Sequence, residues 1–220
     1  MRTLAQPEVL RWAVTAALLE AVACYPELSF WPERVYPIWY LEALVFLGCT
    51  VLWAFVLGWY PKYARRPVFT LKVGAWPGAL ATLSGLAIAF LLYRFVDPTL
   101  HARKPADYPA DLEHWLGRIL FNLALVQLFL VFAPVAWLLR LTGRLEVAAV
   151  FTVLFGGLVL AFQHPASPPF PVAMLLAILA QRLVTNAFSV YLFLRGGVSL
   201  VWWWQFLLQS RHWWRIEHGW

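Results

Sequence analysis

Charged side chains are scarce in this sequence. Only 13% of its 220 residues are Asp, Glu, Lys or Arg, whereas 62% are hydrophobic. A soluble domain of this length carries about a quarter charged residues. The shortage excludes an ordinary soluble domain and predicts an integral membrane protein that contacts the lipid bilayer.

Cysteine is also rare, with Cys24 and Cys49 as the two examples, both inside apolar runs. This placement predicts neither a disulfide framework nor a thiolate metal site. The sequence has no haem-attachment motif, Walker sequence or cluster-binding cysteine set. None of these motifs identifies a cofactor, and the sequence leaves the cofactor unknown.

Acidic residues are fewer than basic ones, and the net charge is +6. The Lys and Arg residues stand at the ends of apolar runs instead of collecting on one polar face. This pattern is typical of membrane topology signals and argues against a nucleic-acid partner.

The apolar runs predict about six membrane-spanning helices in one transmembrane domain, residues 1–220. A hydrocarbon core of about 30 Å needs about 20 helical residues, and backbone groups in lipid must pair within the segment. We place the spans at Val9–Cys24, Val35–Tyr60, Gly74–Val96, Leu112–Leu141, Glu146–His164 and Phe170–Leu194.

The two termini need separate interpretation. The N-terminal segment lacks a small-x-small cleavage site, and Glu20 interrupts its apolar centre, so we expect a retained first span and not a cleaved signal peptide. We expect Glu20 near the outer end of that span, where it can reach water. The tail "GGVSLVWWWQFLLQSRHWWRIEHGW" has a shorter apolar stretch. It predicts a short Trp-rich helix that is either a poorly matched seventh span or an interfacial helix.

Basic connections set the expected orientation. The stretches "PKYARRPVFTLK" and "RLTGRLE" are basic, and Arg195 closes the sixth span. These three connections fall on one side if the spans alternate, and the positive-inside rule makes that side cytoplasmic. We expect a multi-pass protein of the bacterial inner membrane with a cytoplasmic N-terminus.

Tryptophan is abundant, at 14 residues. Most examples fall near predicted span ends, where an amphipathic ring prefers the membrane interface. The run Trp202–Trp204 differs, because consecutive helical residues cover most of a helix's circumference. These rings must contact lipid, protein or a flat cofactor.

Polar residues inside predicted spans are candidates for function because lipid penalises them. Arg182 lies near the centre of the sixth span, with Asn186 on the same face at i+4. Glu42 in the second span is the best counter-charge for Arg182. The cluster is either a structural ion pair between two spans or part of a polar cavity.

A second group of polar residues lies at the start of the fourth span, where the helix leaves the membrane and meets water. The stretch "ADLEHWLGRILFN" contains Glu113, His114 and Arg118, and His164 ends the fifth span on the same face. Antiparallel neighbours would bring these side chains to one depth. They could form an acid–base set, offer ligands to a metal, or be an ordinary polar rim.

This arrangement resembles the CAAX-protease-like family of glutamate-dependent intramembrane endopeptidases. Family members carry Glu-Glu-x-x-x-Arg, then Phe-x-x-x-His, then a third His-x-x-x-Asn motif. Here "EHWLGR" supplies Glu113 and Arg118, with His114 in place of the second Glu, and "LAFQH" supplies His164. The third motif is absent, so the resemblance is distant and degenerate.

The resemblance implies roles for these residues. Glu113 would be the general base for water, Arg118 would orient it, and His164 would position the water or stabilise the oxyanion. Without the third motif, the oxyanion would lack its usual hydrogen-bond partners.

The sequence is compatible with two functions. The first is an intramembrane peptidase, active or degenerate. The second, which we favour, is a non-enzymatic subunit or scaffold of a larger membrane complex. Its partners would be other membrane subunits bound through the Trp-rich tail, since Trp and Arg are frequent at interface hot spots.

Overall fold

The computed structural model describes residues 4, 6–31, 35–70, 73–103, 105, 108–162 and 171–218. Within them the chain is almost entirely helical, with one isolated bridge between Phe69 and Gly197. The expected all-α membrane bundle is confirmed. Its helices are α1 Pro7–Phe30, α2 Ile38–Ala64, α3 Ala75–Arg103, α4 Leu112–Thr142, α5 Leu145–Phe162 and a last stretch, Val172–His218.

Five of these stretches are long and apolar enough to cross a membrane, namely α1 to α4 and the last one. Helix α5 contains a shorter apolar segment, Leu145–Val159. Within the described ranges, three π-helical turns interrupt the regular helices, at Leu92–Val96 in α3 and at Asn122–Val126 and Leu128–Phe132 in α4.

The last stretch is a hairpin of two helices. The Phe188 and Trp204 rings stack with centroids 5.8 Å apart, and the Gln205 amide donates to the Ser189 hydroxyl at 3.0 Å across 16 residues. Sixteen residues of straight helix would span about 24 Å, so the chain must reverse between them. We therefore divide it into α6, residues 172–196, and α7, residues 198–218.

Gly197 makes the reversal. Its φ of 68° and ψ of −163° lie in a region that only glycine occupies readily. A Cβ there would overlap the Val68 carbonyl oxygen, which accepts a hydrogen bond from the Val198 N–H at 2.9 Å. The turn is thereby fixed against the connection between α2 and α3.

Helix α7 runs alongside α3. The Trp203 indole donates to the Thr82 hydroxyl at 3.0 Å and the Trp204 indole to the Ser84 hydroxyl at 3.2 Å. Further along both helices, the Arg215 guanidinium lies 4.2 Å from the centroid of the Tyr93 ring. The two helices are parallel and cover the same depth, as a seventh span would. The Trp-rich helix is longer than the short one expected.

Helix α4 is the centre of the bundle. It packs on α1, α2, α5 and the α6–α7 hairpin. In its most apolar window 56% of the residues are buried, against 22–28% in the other four stretches. The polar groups near the start of α4 are therefore close to several helices at once.

Helices α1 and α2 are antiparallel and pack closely. The buried face of α1 carries Ala13, Ala17, Ala21 and Cys24, and small residues at this spacing let membrane helices approach. Helix α1 continues past the predicted end at Cys24 to Phe30. The expectation that Glu20 reaches water is wrong, because the residue is only 5% exposed and lies well inside the helix.

The three basic connections meet at one end of the bundle, which we call the basic end. The Arg66 guanidinium donates to the Leu194 carbonyl, and the Arg140 guanidinium lies 5.5 Å from the centroid of the Tyr63 ring. The ends of α2, α4 and α6 are therefore neighbours. The other end, which holds the start of α4, we call the opposite end.

Candidate functional site

Asp111 caps the helix that carries the predicted acid–base residues. Its Oδ1 accepts from the His114 backbone N–H at 2.9 Å and contacts the His114 ring nitrogen Nδ1 at 2.8 Å. These contacts hold the pKa of Asp111 below its usual range, and the hydrogen bond from the His114 backbone makes the largest contribution. His114 also stacks on Phe30, with centroids 4.0 Å apart. The imidazole thus ties the start of α4 to the end of α1.

Arg118 makes a second tie between the same two helices. Its Nε lies 3.5 Å from an Oε1 oxygen of Glu27. One residue earlier, Gly117 is buried against α1, where an added Cβ would lie 3.1 Å from the Glu27 backbone nitrogen. Glu113 is exposed in the first turn of α4, a position where a carboxylate stabilises the helix dipole.

His164 lies outside the described residues. The expected proximity of Glu113 and His164 therefore stays a prediction. In the part of the chain that the structure describes, no group of three His, Cys, Asp or Glu residues is placed to hold a metal ion.

The three residues of the predicted intramembrane cluster have different neighbours. The Asn186 amide donates to the carbonyls of Thr152 and Val153 on α5, at 3.0 and 3.2 Å. Glu42 lies near enough to Cys24 on α1 for its charge to act on the thiol. Arg182 lies near enough to Tyr108 for its charge to act on the phenol. Asn186 thus joins α6 to α5, and the Glu42–Arg182 pair stays a prediction.

A buried ionic group at the opposite end was not predicted. Asp97, which is 2% exposed, accepts from Arg211 Nε at 2.9 Å and from the Tyr108 hydroxyl at 3.3 Å. The Tyr108 and His212 rings meet edge to face, with centroids 5.4 Å apart. We call these four residues the Asp97 cluster. It joins α3, the α3–α4 connection and α7.

The electrostatics of the cluster follow from its burial. Burial, followed by the Asp97 charge, raises the pKa of the Tyr108 hydroxyl, while the Arg211 and Arg182 charges oppose the rise. The phenol is therefore a hydrogen-bond donor at neutral pH. With both Asp97 oxygens accepting, the carboxylate is poorly placed to take a proton from a substrate. The geometry is that of a structural clamp.

Part of this cluster had a sequence signal. In "SRHWWRIEH", Arg211 and Arg215 are four residues apart and share a helical face, and Asp97 closes the apolar run of the third span. The spacing indicates a basic stripe on the tail helix. It cannot show that the stripe meets Asp97, since that contact depends on the Gly197 reversal.

The Trp202–Trp204 run contacts protein. The Trp202 indole donates to the Leu123 carbonyl on α4 at 2.8 Å, and Trp203 and Trp204 reach α3 as described above. Trp204 is fully buried, while Trp203 is 46% exposed. Three consecutive indoles thus bind two helices on different sides of α7.

An open groove of about 570 Å³ lies between α3 and α7 at the opposite end. Its lining is mostly apolar and aromatic, with Arg211 and Glu217 as its charged groups. It includes Leu86, Phe90, Tyr93, Trp213 and Trp214. The groove therefore offers an aromatic surface beside the Asp97 cluster.

Comparison with known proteins adds no family to this description. No family model, curated protein or solved structure matches the chain.

Proposed function

We propose that this protein is a non-enzymatic membrane subunit or scaffold and a degenerate relative of the CAAX-protease-like proteins. The observation that carries the proposal is the use of His114 and Arg118, which bind Asp111, Phe30 and Glu27 and so join α4 to α1. A catalytic arginine would instead orient Glu113. The motif residues retain a structural role in this proposal.

The partners are other membrane proteins, and the contact surface is the exposed aromatic side of α7. Trp213 and Trp214 are 43% and 56% exposed beside the groove between α3 and α7. Trp and Arg are frequent at the centres of protein interfaces. Trp202 and Trp204 face inward and bind other helices of the bundle. The surface that remains for a partner is therefore smaller than the whole Trp-rich tail. A cytoplasmic N-terminus remains part of the proposal and is supported by the shared location of the basic connections. The bacterial inner membrane is the membrane that we propose for the protein.

A peptidase assay tests the non-enzymatic part. We expect purified protein in lipid vesicles to leave a membrane-embedded peptide uncut. Cleavage that disappears in Glu113→Gln would contradict the proposal and support the alternative, an intramembrane peptidase using Glu113 and His164.

Site-specific photocrosslinking in native membranes tests the partner surface. A photoreactive residue at Trp214 should give a discrete adduct with another membrane protein. Leu47 on α2 is a matched control, since it is 60% exposed and lies away from the groove. Equal adduct patterns at the two positions, or lipid adducts alone, would remove the proposed surface.

A further inference from the structure

A second buried carboxyl lies between α1 and α2, away from the Asp97 cluster. Glu20 is 5% exposed. The Cys49 thiol and the Trp53 indole lie beside it, yet within the described residues neither carboxyl oxygen has a partner in hydrogen-bonding geometry. The Trp53 Nε1, in a side chain that is 1% exposed, also lacks a partner there. An unused donor and two unused acceptors therefore meet at one buried point.

Among the residues that the structure describes, the groups packed around Glu20 do not supply a positive charge. Cys24 follows on α1, and Cys49 faces it from α2, with Glu42 further along on the far side of Cys24. On α4, the residues that pack near Cys24 are the apolar Phe121, Ala124 and Leu125. Of the two basic residues of that helix, Arg140 lies at the basic end beside Tyr63. The other, Arg118, pairs with Glu27, which is seven residues or about 10 Å further along α1 than Glu20.

An ionised Glu20 would be costly at this position. A carboxylate that leaves water without a counter-charge loses a large hydration free energy. Hydrogen bonds from one thiol and one indole would compensate only a small part of that loss. A metal cation is poorly suited to neutralise Glu20. Hard cations need several coordinating oxygen atoms, and the neighbouring indole N–H can donate a hydrogen bond but cannot coordinate a metal. A proton needs one oxygen, and the second oxygen can then accept from Trp53.

We propose that Glu20 is a proton-binding site midway along α1, between α1 and α2. The proton is bound in the resting protein and exchanges towards the Glu42 side. Glu42 supports this direction because it is half-buried and lies on the other side of Cys24, nearer the start of α2. Towards the basic end, the α1–α2 core continues with the buried residues Ala17, Ala13 and Val56. Loss of the proton would require α1 and α2 to separate or water to enter between them.

Infrared spectroscopy of the full chain in lipid vesicles tests the protonation state. We expect a protonated carboxyl band at neutral pH that disappears in Glu20→Gln and persists in Glu113→Gln, the exposed control. The amide has the shape of the neutral acid, so Glu20→Gln should fold. Failure of this variant to fold, or an unchanged band in it, would overturn the proposal.

The pH dependence of stability gives an independent readout. Folded Glu20 keeps its proton, whereas the unfolded chain releases it above about pH 4.3, the value for an ordinary glutamate. The folded state then binds one more proton, so its stability falls as pH rises, by up to about tenfold in the folding equilibrium per pH unit. Glu20→Gln should remove this slope, and Glu113→Gln should keep it. The same slope in wild type and Glu20→Gln would contradict the site.

The exchange path has its own test. Deuterium exchange of the Glu20 band should slow several-fold in Glu42→Gln and stay unchanged in Glu146→Gln, a variant of the exposed carboxyl at the start of α5. Equal exchange rates in the two variants would refute the proposed direction.

Discussion

At the residue scale, the ion pair between Asp97 and Arg211 is a buried polar link between α3 and α7. The two side chains are 3% and 14% exposed and meet at 2.9 Å. Low exposure makes each charge dependent on the other, because a buried charge without its partner keeps the cost of desolvation and loses the compensation.

A double-mutant cycle measures this dependence. Asp97→Leu alone should lower the free energy of unfolding by about 3–5 kcal/mol, as expected for a buried charge that loses its partner. The double change Asp97→Leu, Arg211→Leu should cost less than the two single changes together. Thermal unfolding in detergent gives the values. Simple additivity of the single effects would mean that the two charges are not coupled.

The cap at Asp111 gives a pH-dependent prediction. Its pKa is lowered in the folded protein by the His114 backbone and ring contacts. The stability it contributes is therefore present above the ordinary aspartate value of about 3.9 and is lost as pH falls through the lower folded value.

Asp111→Ser tests this sign, since serine also caps helices but does not titrate. The variant should fold near neutral pH and lose less stability than wild type in acid. Melting temperatures across the acidic range provide the measurement. An identical acid slope in the two proteins would mean that other carboxyls set the slope.

At the scale of elements, the reversal at Gly197 decides where α7 lies. Gly197→Ala should strain the backbone by about 1–3 kcal/mol and push the new Cβ into the Val68 carbonyl oxygen. We expect poor folding or a lower melting temperature. Gly48→Ala is the matched control, since no atom lies within 4 Å of its added Cβ and alanine favours helix. Equal melting temperatures for both variants would contradict the tight turn.

At the scale of the whole molecule, the hairpin places the end of α7 opposite the basic end. A cysteine-free background with single cysteines at Thr142 or Glu217, both exposed, can be labelled from each side of sealed vesicles. We expect the two positions to react from different sides. Labelling of both from one side would mean that α7 is an interfacial helix on a six-span bundle.

The same experiment tests the orientation. Thr142 lies at the basic end, beside Arg140 and Arg144. The positive-inside rule predicts that Thr142 reacts from the cytoplasmic side. Reaction from the outer side would invert the proposed topology without changing the bundle.

The sequence by itself determined the class of protein, most helix positions and the common location of the basic connections. These depend on local properties, namely the length of apolar runs and the charges at their ends. Pairing is not local. The burial of Glu20, the link from Asp97 to Arg211 and the use of His114 and Arg118 as ties to α1 depend on which helices become neighbours. Only the tertiary structure decided which helices are neighbours, through the reversal at Gly197 and the close approach of α1 to α2 and α4. The sequence could not show this, because contacts between distant residues leave no periodic signal in one sequence.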